Sequence, residues 1–408
     1  MVATTRTPQG LDRTEVEYYQ RLPVGEQRRI RKTLRSCAAR SSREPLRVRI
    51  LRDRHIPDDV KMTIFQQLSG FHDEKVQDLA HNLLRLPLGA YSMPPPACLQ
   101  AGDHQSFLDS AMTTMNESIY GHDEVKREVL LMLSQWTGGG NKSFALGLEG
   151  GPGIGKTTFV KHALSKVLNR PMCVICLGGA SDVAQLMGHG FTYEGARHGR
   201  LAQSLIEAGV SDPILFFDEL DKVSNTARGD EIINALIHLT DPVQNTAIRD
   251  RYFQGIDLDF SRCIMVFSYN EPRNINPVLL DRLKRIRMRG PTREEKLSIT
   301  AKHIVPRVRA DMAAAVVFEL SQGAVEEVVK RHEHDTGMRG IEKSVHHIIG
   351  VANLCWQYGS GDVIGYEKPL DTSDKPTWTL SEHFVTHVLE RQQKDNQNFS
   401  APPPMMFT

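Results

Sequence analysis

Apolar positions along this 408-residue chain follow three successive patterns. From residue 57 they recur at helical spacing: Val60, Ile64 and Leu68 at four-residue steps, then Leu79, Leu83 and, one residue early, Leu86. Pro94 to Pro96 end that stretch in a linker. From about 105 to 290, helical patterns alternate with five short, continuously apolar runs: FALGLE (144–149), MCVICL (172–177), PILFFD (213–218), CIMVFS (263–268) and IRM (286–288). Strands apolar on both faces belong to parallel sheets covered by crossover helices. From Thr292 to about Gln392 the pattern is mainly helical, broken by a Gly/Asp/Pro-rich stretch at 359–376, and the tail NFSAPPPMMFT has no period. There is no internal repeat. The pattern predicts an α/β fold, a parallel sheet flanked by helices, followed by a mainly helical domain and preceded by a short helical segment. The expected divisions are 1–56, a basic and partly disordered arm; 57–101, helical segment and linker; 102–290, α/β domain; 291–392, helical domain; and 393–408, disordered tail.

Composition adds limits. Apolar residues make up 40% and charged residues 24%, a soluble globular balance with enough length for two or three domains. The formal charge of +1 argues against a generally polyanion-binding surface, but eleven Lys/Arg against three acids lie between Glu26 and Arg54. A solvated arm is the preferred reading of residues 26–54, with a nucleic-acid or acidic-partner patch as the alternative. No apolar run reaches membrane-spanning length. The N-terminus carries Asp12, Glu15 and Glu17 and no apolar leader core, so an intracellular, soluble, cytoplasmic protein is expected. Six scattered cysteines suggest reduced thiols. Cys173 and Cys176 form a C-x-x-C, but inside an apolar run that reads as a buried strand; the HEHD cluster at His332 to Asp335 reads as a solvated helix face.

The chemistry comes directly after the first apolar run. GGPGIGKTT spans Gly150, Gly151, Pro152, Gly153, Ile154, Gly155, Lys156, Thr157 and Thr158 and fits G-x-x-x-x-G-K-[ST]. Glycines let successive backbone N–H groups converge on phosphate oxygens, and the helix start adds its positive end. Lys156 is placed to reach the β- and γ-phosphates and the Thr157 hydroxyl to ligate Mg2+. The third run ends in FFDELDK, which sets Asp218 at a strand's carboxyl end as a second magnesium holder and Glu219 next to it to polarise a water. Asn270 ends the fourth run, where it can orient that water. Arg282 precedes the last run and could project into a neighbouring subunit, the alternative being an ion pair with Asp281. Arg339, in TGMRGIEKSV, opens a helix and could sense the γ-phosphate in its own chain.

In this order the elements resemble AAA+ ATPases, and more narrowly the ATPase module of the Lon protease family. The stretches that carry the likeness are IYGHDEVKREVLLML, GGPGIGKTTFVKHAL, LGGASDVAQLMGHGFTYEGARHGRL, FFDELDKVSNTARGD, LTDPVQN, YFQGIDLDFS, LLDRLKRIRMRGPTREEKL and TGMRGIEKSVHHI. The resemblance covers about residues 105–392, with residues 57–91 similar to the helical segment preceding that module. It implies an AAA+ P-loop NTPase sheet at 102–290 with a helical lid at 291–392. It further implies ATP and Mg2+ as ligands, with Tyr120 and Gly121 at the adenine. Arg282 is implied as an arginine finger in a homo-oligomer, a hexamer, and Arg339 as its sensor. A pore loop is implied in which Phe191 and Tyr193 grip unfolded or misfolded protein clients, flanking glycines letting the loop move. Departures are Glu194 after the tyrosine, and Gly190-Phe191 and Arg197-His198 at other loop positions. Sixty-nine residues follow Arg339, too few for a Ser-Lys peptidase of about 150–200 residues, so no peptidase activity is expected of this chain and one would come from a separate partner. The expected function is a Lon-type ATP-hydrolysing unfoldase or remodeller in protein quality control. The alternatives are a nucleic-acid-acting ATPase of the clamp- or helicase-loader type, and a nucleotide-dependent assembly switch.

Overall fold

The five apolar runs become the five strands of one parallel sheet. A computed structural model of the chain describes residues 13–31, 44–67, 74–92, 104–137, 144–180, 182–190, 195–253, 255–312, 317–358 and 377–400. The chain divides into one unit up to Arg85 and a second from Leu86 onward.

In the first unit, helices Leu46–Arg52, Asp58–Gln67 and Glu74–Leu83 pack on one another. The predicted stripe residues Val60, Ile64, Leu79 and Leu83 are buried together with Ile50, Ile56 and Val76. Leu68 lies outside the described residues. Parts of the expected arm are helical: Arg13–Arg21, residues 24–31 and Leu46–Arg52. The arginines conceal this in the sequence because long basic side chains cover apolar surface with their stems. Arg47 lies over the Phe65 ring at 4.0 Å, while Ile50 turns inward. Tyr19 donates to the Gln27 carbonyl (3.1 Å) and accepts from Arg31 Nε (3.0 Å).

The second unit begins where Ala90 O accepts from Ser211 N (2.6 Å) and Ser92 N donates to Asp212 (2.7 Å). Its strands are β1 (Phe144–Glu149), β2 (Met172–Cys176), β3 (Ile214–Asp218), β4 (Ile248–Arg249), β5 (Asp257–Leu258), β6 (Ile264–Tyr269) and β7 (Lys284–Arg287). The main sheet has the order β2-β3-β6-β1-β7, all parallel, and β4-β5 form a separate antiparallel ladder. β3 and β6 are buried almost throughout, and the Phe217 and Phe267 rings stack at 4.7 Å. Each such side chain contributes about 1.5–3 kcal/mol through burial. β2 is one of the two edge strands and alternates: Cys173 and Ile175 face inward, Val174 and Cys176 outward. Its two cysteines therefore point to opposite faces and share no site.

After β7 the chain forms a lid with its own core around Phe318, Val328, Ile341, Val345, Trp378 and Val385. Its helices are Arg293–Ile299, continued through one wide turn Thr300–Ile304 into Val305–Met312, then Gln322–Arg331, Arg339–Tyr358 and Glu382–Ser400. β8 (Val317–Leu320) and β9 (Thr377–Leu380) pair in parallel inside it. Residues 393–400, expected in a disordered tail, continue the last helix; 401–408 lie outside the described residues. No helix among the described residues is long and apolar enough to cross a membrane.

The lid starts at a capping box. Thr292 Oγ1 accepts from Glu295 N (3.3 Å), and Glu295 Oε2 accepts from Thr292 N (2.8 Å). Arg289 grips both Glu295 oxygens at 2.7 Å, and this bidentate pair holds the carboxyl at about 2, against an ordinary 4.5. A depressed carboxyl stabilises the fold fully above its unfolded value and loses that contribution as pH falls through the folded one. Glu295→Gln should therefore cost about 1 kcal/mol at neutral pH, a few degrees in Tm. That deficit should shrink as pH is lowered from 4.5 toward 2. Thermal melts of both proteins along this pH series check it; a deficit independent of pH would show that the ion pair is not its source.

Candidate nucleotide site

Strands β1, β3 and β6 end on the same edge of the sheet, and the residues after them meet there. After β1 the loop Gly150–Gly155 turns sharply: Gly153 has φ +73 and Gly155 φ +97, conformations that side chains disfavour. A Cβ on Gly150 would fall 2.6 Å from the Met288 carbonyl oxygen, so close approach also demands glycine there. Gly155 precedes the helix that runs Lys156–Phe159, takes one wide turn at Val160–Leu164 and continues Ser165–Leu168. No side chain caps that helix start. Its first amides are left for an anion.

Lys156 Nζ donates to the Gly150 carbonyl (2.5 Å), the Tyr269 carbonyl (3.1 Å) and Asn270 Oδ1 (2.7 Å), so it joins the ends of β1 and β6. Burial lowers its pKa, against the pull of Asp221, Asp218 and Glu219. Ser268 Oγ donates to Asp218, which also accepts from Glu219 N (3.1 Å). Glu219 is left-handed (φ 59, ψ 46), a conformation that costs a non-glycine residue about 1–2 kcal/mol. Its carboxylate rests against Gly178, where an added Cβ would collide with Oε2.

On the far side, Gly121 (φ +73) and His122 (φ 57) are both left-handed. They turn the chain so that Tyr120 lines the cavity and His122 Nε2 lies 3.0 Å from the Ile154 carbonyl. Burial pushes the His122 pKa down. The lid closes the remaining side: Met338 N donates to the Gly153 carbonyl (2.9 Å), and Arg339 opens its helix beside Gly153.

The cavity between these elements measures about 500 Å³. Of the residues expected at the site, Tyr120, Pro152, Gly153, Ile154, Gly155, Lys156, Thr157, Thr158, Asp218, Glu219, Asn270 and Arg339 line it. Gly121, Gly150 and Gly151 stand behind it, the latter two offering their carbonyls to Lys156. Arg282 is elsewhere, on helix Pro277–Arg282, with Nη1 3.0 Å from Asp241. Its ion pair is thus with Asp241 and not with the adjacent Asp281. Phe191 and Tyr193 lie outside the described residues. Sequence reasoning did not single out Asp221, which lines the cavity, is buried, and has an Oδ1 with no hydrogen bond among the described residues. Its signal was present three residues after Asp218. Arg307 and Glu342, an ion pair at 2.5 Å from two lid helices, also line the cavity and had no local signal.

Residues 146–290 match the ATPase family associated with various cellular activities (AAA). A Lon protease homolog of Acanthamoeba polyphaga mimivirus is 29% identical over 82% of the chain and 34% of its own length. Lon proteases of Xanthomonas oryzae pv. oryzae (36% identity, 59% of the chain, 28% of that protein) and Parabacteroides distasonis (33%, 66% and 32%) align as well. This chain carries a Lon-like AAA+ module. It spans about a third or less of the length of these relatives.

Within the Lon-like module, the base of the loop around residues 191–194 is built tightly. His189 N donates to the Arg197 carbonyl (3.0 Å), and the His198 ring stacks on Phe253 at 5.7 Å. Asp250, 4% exposed, accepts from Gly199 N (2.7 Å) and Tyr252 N (2.8 Å), so one carboxylate clasps the loop base to the turn after β4. Burial raises its pKa while those amides oppose the rise. A Cβ on Gly188 would collide with Asp250 Oδ1, and one on Gly199 with the Leu186 carbonyl oxygen. Gly188 and Gly199 are thus required by close packing, whereas Gly195 (φ +74) has open space around it. Asp250→Ala strands two buried amides, a cost of about 1–3 kcal/mol. Hydrogen exchange at Gly199 and Tyr252 should accelerate about tenfold or more, with nucleotide affinity within about twofold, since Asp250 is not in the cavity lining. Unchanged exchange would mean the carboxylate does not hold the loop base.

Proposed function

We propose that this chain binds and hydrolyses ATP with Mg2+ and, as a homo-oligomer of Lon-like modules, converts turnover into unfolding or remodelling of protein clients. The observation that carries the reading is the convergence of Lys156, Asp218, Glu219, Asn270 and Arg339 on one cavity of about 500 Å³, a size usual for small-molecule sites.

The residues fit the ligands. The uncapped helix start and the glycine cradle suit phosphate oxygens. Magnesium prefers one or two protein oxygens plus phosphate and water, and Thr157 and Asp218 offer hard oxygens in the cavity wall. When bound, the ion would neutralise charge between the phosphates. Lys156 already meets four oxygens, three of them carbonyls of the main chain, so entering phosphates replace carbonyls at a preformed position. Glu219 accepts the proton of the attacking water, Asn270 orients that water, and Arg339 answers to the γ-phosphate. Tyr120 and Gly121 flank the base. Clients are gripped by Phe191 and Tyr193.

The test is a panel of ATP affinity and turnover, with casein or DNA added. Lys156→Ala should lose about 10–100-fold in ATP affinity. Glu219→Gln should bind ATP and lose about 10²–10⁴ in turnover. Tyr193→Ala should keep basal turnover within a few-fold and lose stimulation by casein. Equal ATP affinity in wild type and Lys156→Ala would defeat the nucleotide assignment, whereas stimulation by DNA and not casein would favour the nucleic-acid reading of residues 26–54.

Arg282 is assigned to a neighbour's phosphate, for which its ion pair with Asp241 must exchange; a pair at the surface, screened by solvent, holds the arginine only weakly. Arg282→Ala should therefore suppress turnover with little change in protomer affinity. Mixing it with Lys156→Ala subunits should restore part of the activity, because some intact pockets then face intact fingers. No recovery in confirmed mixed oligomers would place the role of Arg282 within its own subunit.

A further inference from the structure

Lys296 is a buried lysine, 4% exposed, whose three hydrogen bonds all go to main-chain carbonyls of one turn: His332 (2.9 Å), Glu333 (3.3 Å) and Asp335 (2.6 Å). An ammonium has three donors and no acceptor, so this arrangement satisfies it completely and fixes the turn's shape. A second device holds the same turn from the other side. His332 Nδ1 lies 2.8 Å from Asp335 Oδ2, and Nε2 lies 2.8 Å from Ser344 Oγ on helix Arg339–Tyr358. The carboxylate accepts from Nδ1–H, which leaves Nε2 to accept from the Ser344 hydroxyl, a tautomer assigned from the network. The Asp-His-Ser order resembles a nucleophile relay, but Ser344 is 6% exposed in mid-helix and outside the cavity lining, so it is a strut.

The chain just beyond the turn gives these contacts their consequence. A Cβ on Gly337 would fall 2.5 Å from the Pro152 carbonyl oxygen and from Gly153 C, so the chain there lies directly on the phosphate-binding loop. Met338 N bonds Gly153 O at 2.9 Å. Arg339 comes next and lines the cavity. Gly340 then sits on the His332–Asp335 pair, where a Cβ would collide with Asp335 Oδ2. Arg339 is thus held between one neighbour pinned to the loop and another pinned to the turn.

We propose that Lys296 and His332 are positioning residues that set Arg339 over the nucleotide and thereby control discrimination of ATP from ADP. The proposal rests on the reading of Arg339 as the residue that meets the γ-phosphate. Lys296 does not touch the nucleotide; it acts through the turn. Removing it leaves the arginine present and misplaced.

The experiment is a double-mutant cycle on the full chain, with affinities for AMP-PNP and ADP and thermal melts of each variant. Arg339→Ala should weaken AMP-PNP about tenfold and ADP much less. Lys296→Met should weaken AMP-PNP about five- to tenfold with the same preference, and the double variant should be no weaker than Arg339→Ala alone, the signature of two residues acting as one. Lys296→Arg should restore part of the preference. If Lys296→Met does not fold, His332→Gln takes its place in the same cycle. Multiplying deficits, or a lower Tm with an unchanged AMP-PNP to ADP ratio, would overturn the proposal and leave the reading of Arg339 intact. An unchanged AMP-PNP affinity in Arg339→Ala would overturn that reading, and the proposal with it.

Discussion

One ammonium group organises the edge of the sheet. Lys156 extends from the helix start to the Gly150 carbonyl at the end of β1 and to Tyr269 O and Asn270 Oδ1 at the end of β6. A cation half-buried among carbonyl dipoles is tolerable, but it gains more from a phosphate anion. The strand order makes this arrangement available. With β6 between β3 and β1, Asn270 comes to lie between the acids after β3 and the loop after β1. Three carboxylates, Asp221, Asp218 and Glu219, pull against the desolvation of the lysine and favour its charged form.

Strain collects around the same point. Glu219 and His122 are two of three non-glycine residues with positive φ among those described, and both line the cavity. Such conformations persist only where the surroundings over-determine them. At Glu219 the surroundings are β3, buried on both faces, and the close approach of Gly178. At His122 they are the Ile154 carbonyl and the capped start of the lid, whose Glu295 lies against Gly121. The lid meets the loop chiefly through backbone, Met338 N on Gly153 O, so the position of one constrains the other without depending on side-chain rotamers.

The features legible in the sequence were local ones. Continuous apolar runs mark buried parallel strands, and all five became the sheet. The glycine-lysine loop announces its own conformation, and the start of helix Arg339–Tyr358 agrees with the reading of TGMRGIEKSV. The illegible features depend on distant partners. β8, VFEL, is four residues long and acquires meaning only from β9 far along the chain. Helix Leu46–Arg52 carries one buried apolar side chain among arginines. Residues 393–400 have no apolar period, yet they prolong a helix already packed through Val385 and Val388. Asp241, the partner of Arg282, comes from the end of another helix, which nearest-neighbour reasoning had no means to choose. Asp250 is one acid in a polar run, RDRYF; only the fold shows it buried against the amide of Gly199.

The two ends of the proposed work share one edge of the sheet. Leu177 N donates to the Asp218 carbonyl (2.9 Å), and Glu219 rests on Gly178, so the acids touch the chain just as it leaves β2. From there it passes Gly179 (φ +78) and the short helix Ala184–Met187, and it arrives at Gly188, where Asp250 clasps the loop base. A displacement of Glu219 towards a nucleotide would relieve its contact with Gly178 at the root of this segment. The contacts at Gly188 and Gly199 leave no room for a side chain there, whereas Gly195, with φ +74 and open space around it, keeps its freedom to turn.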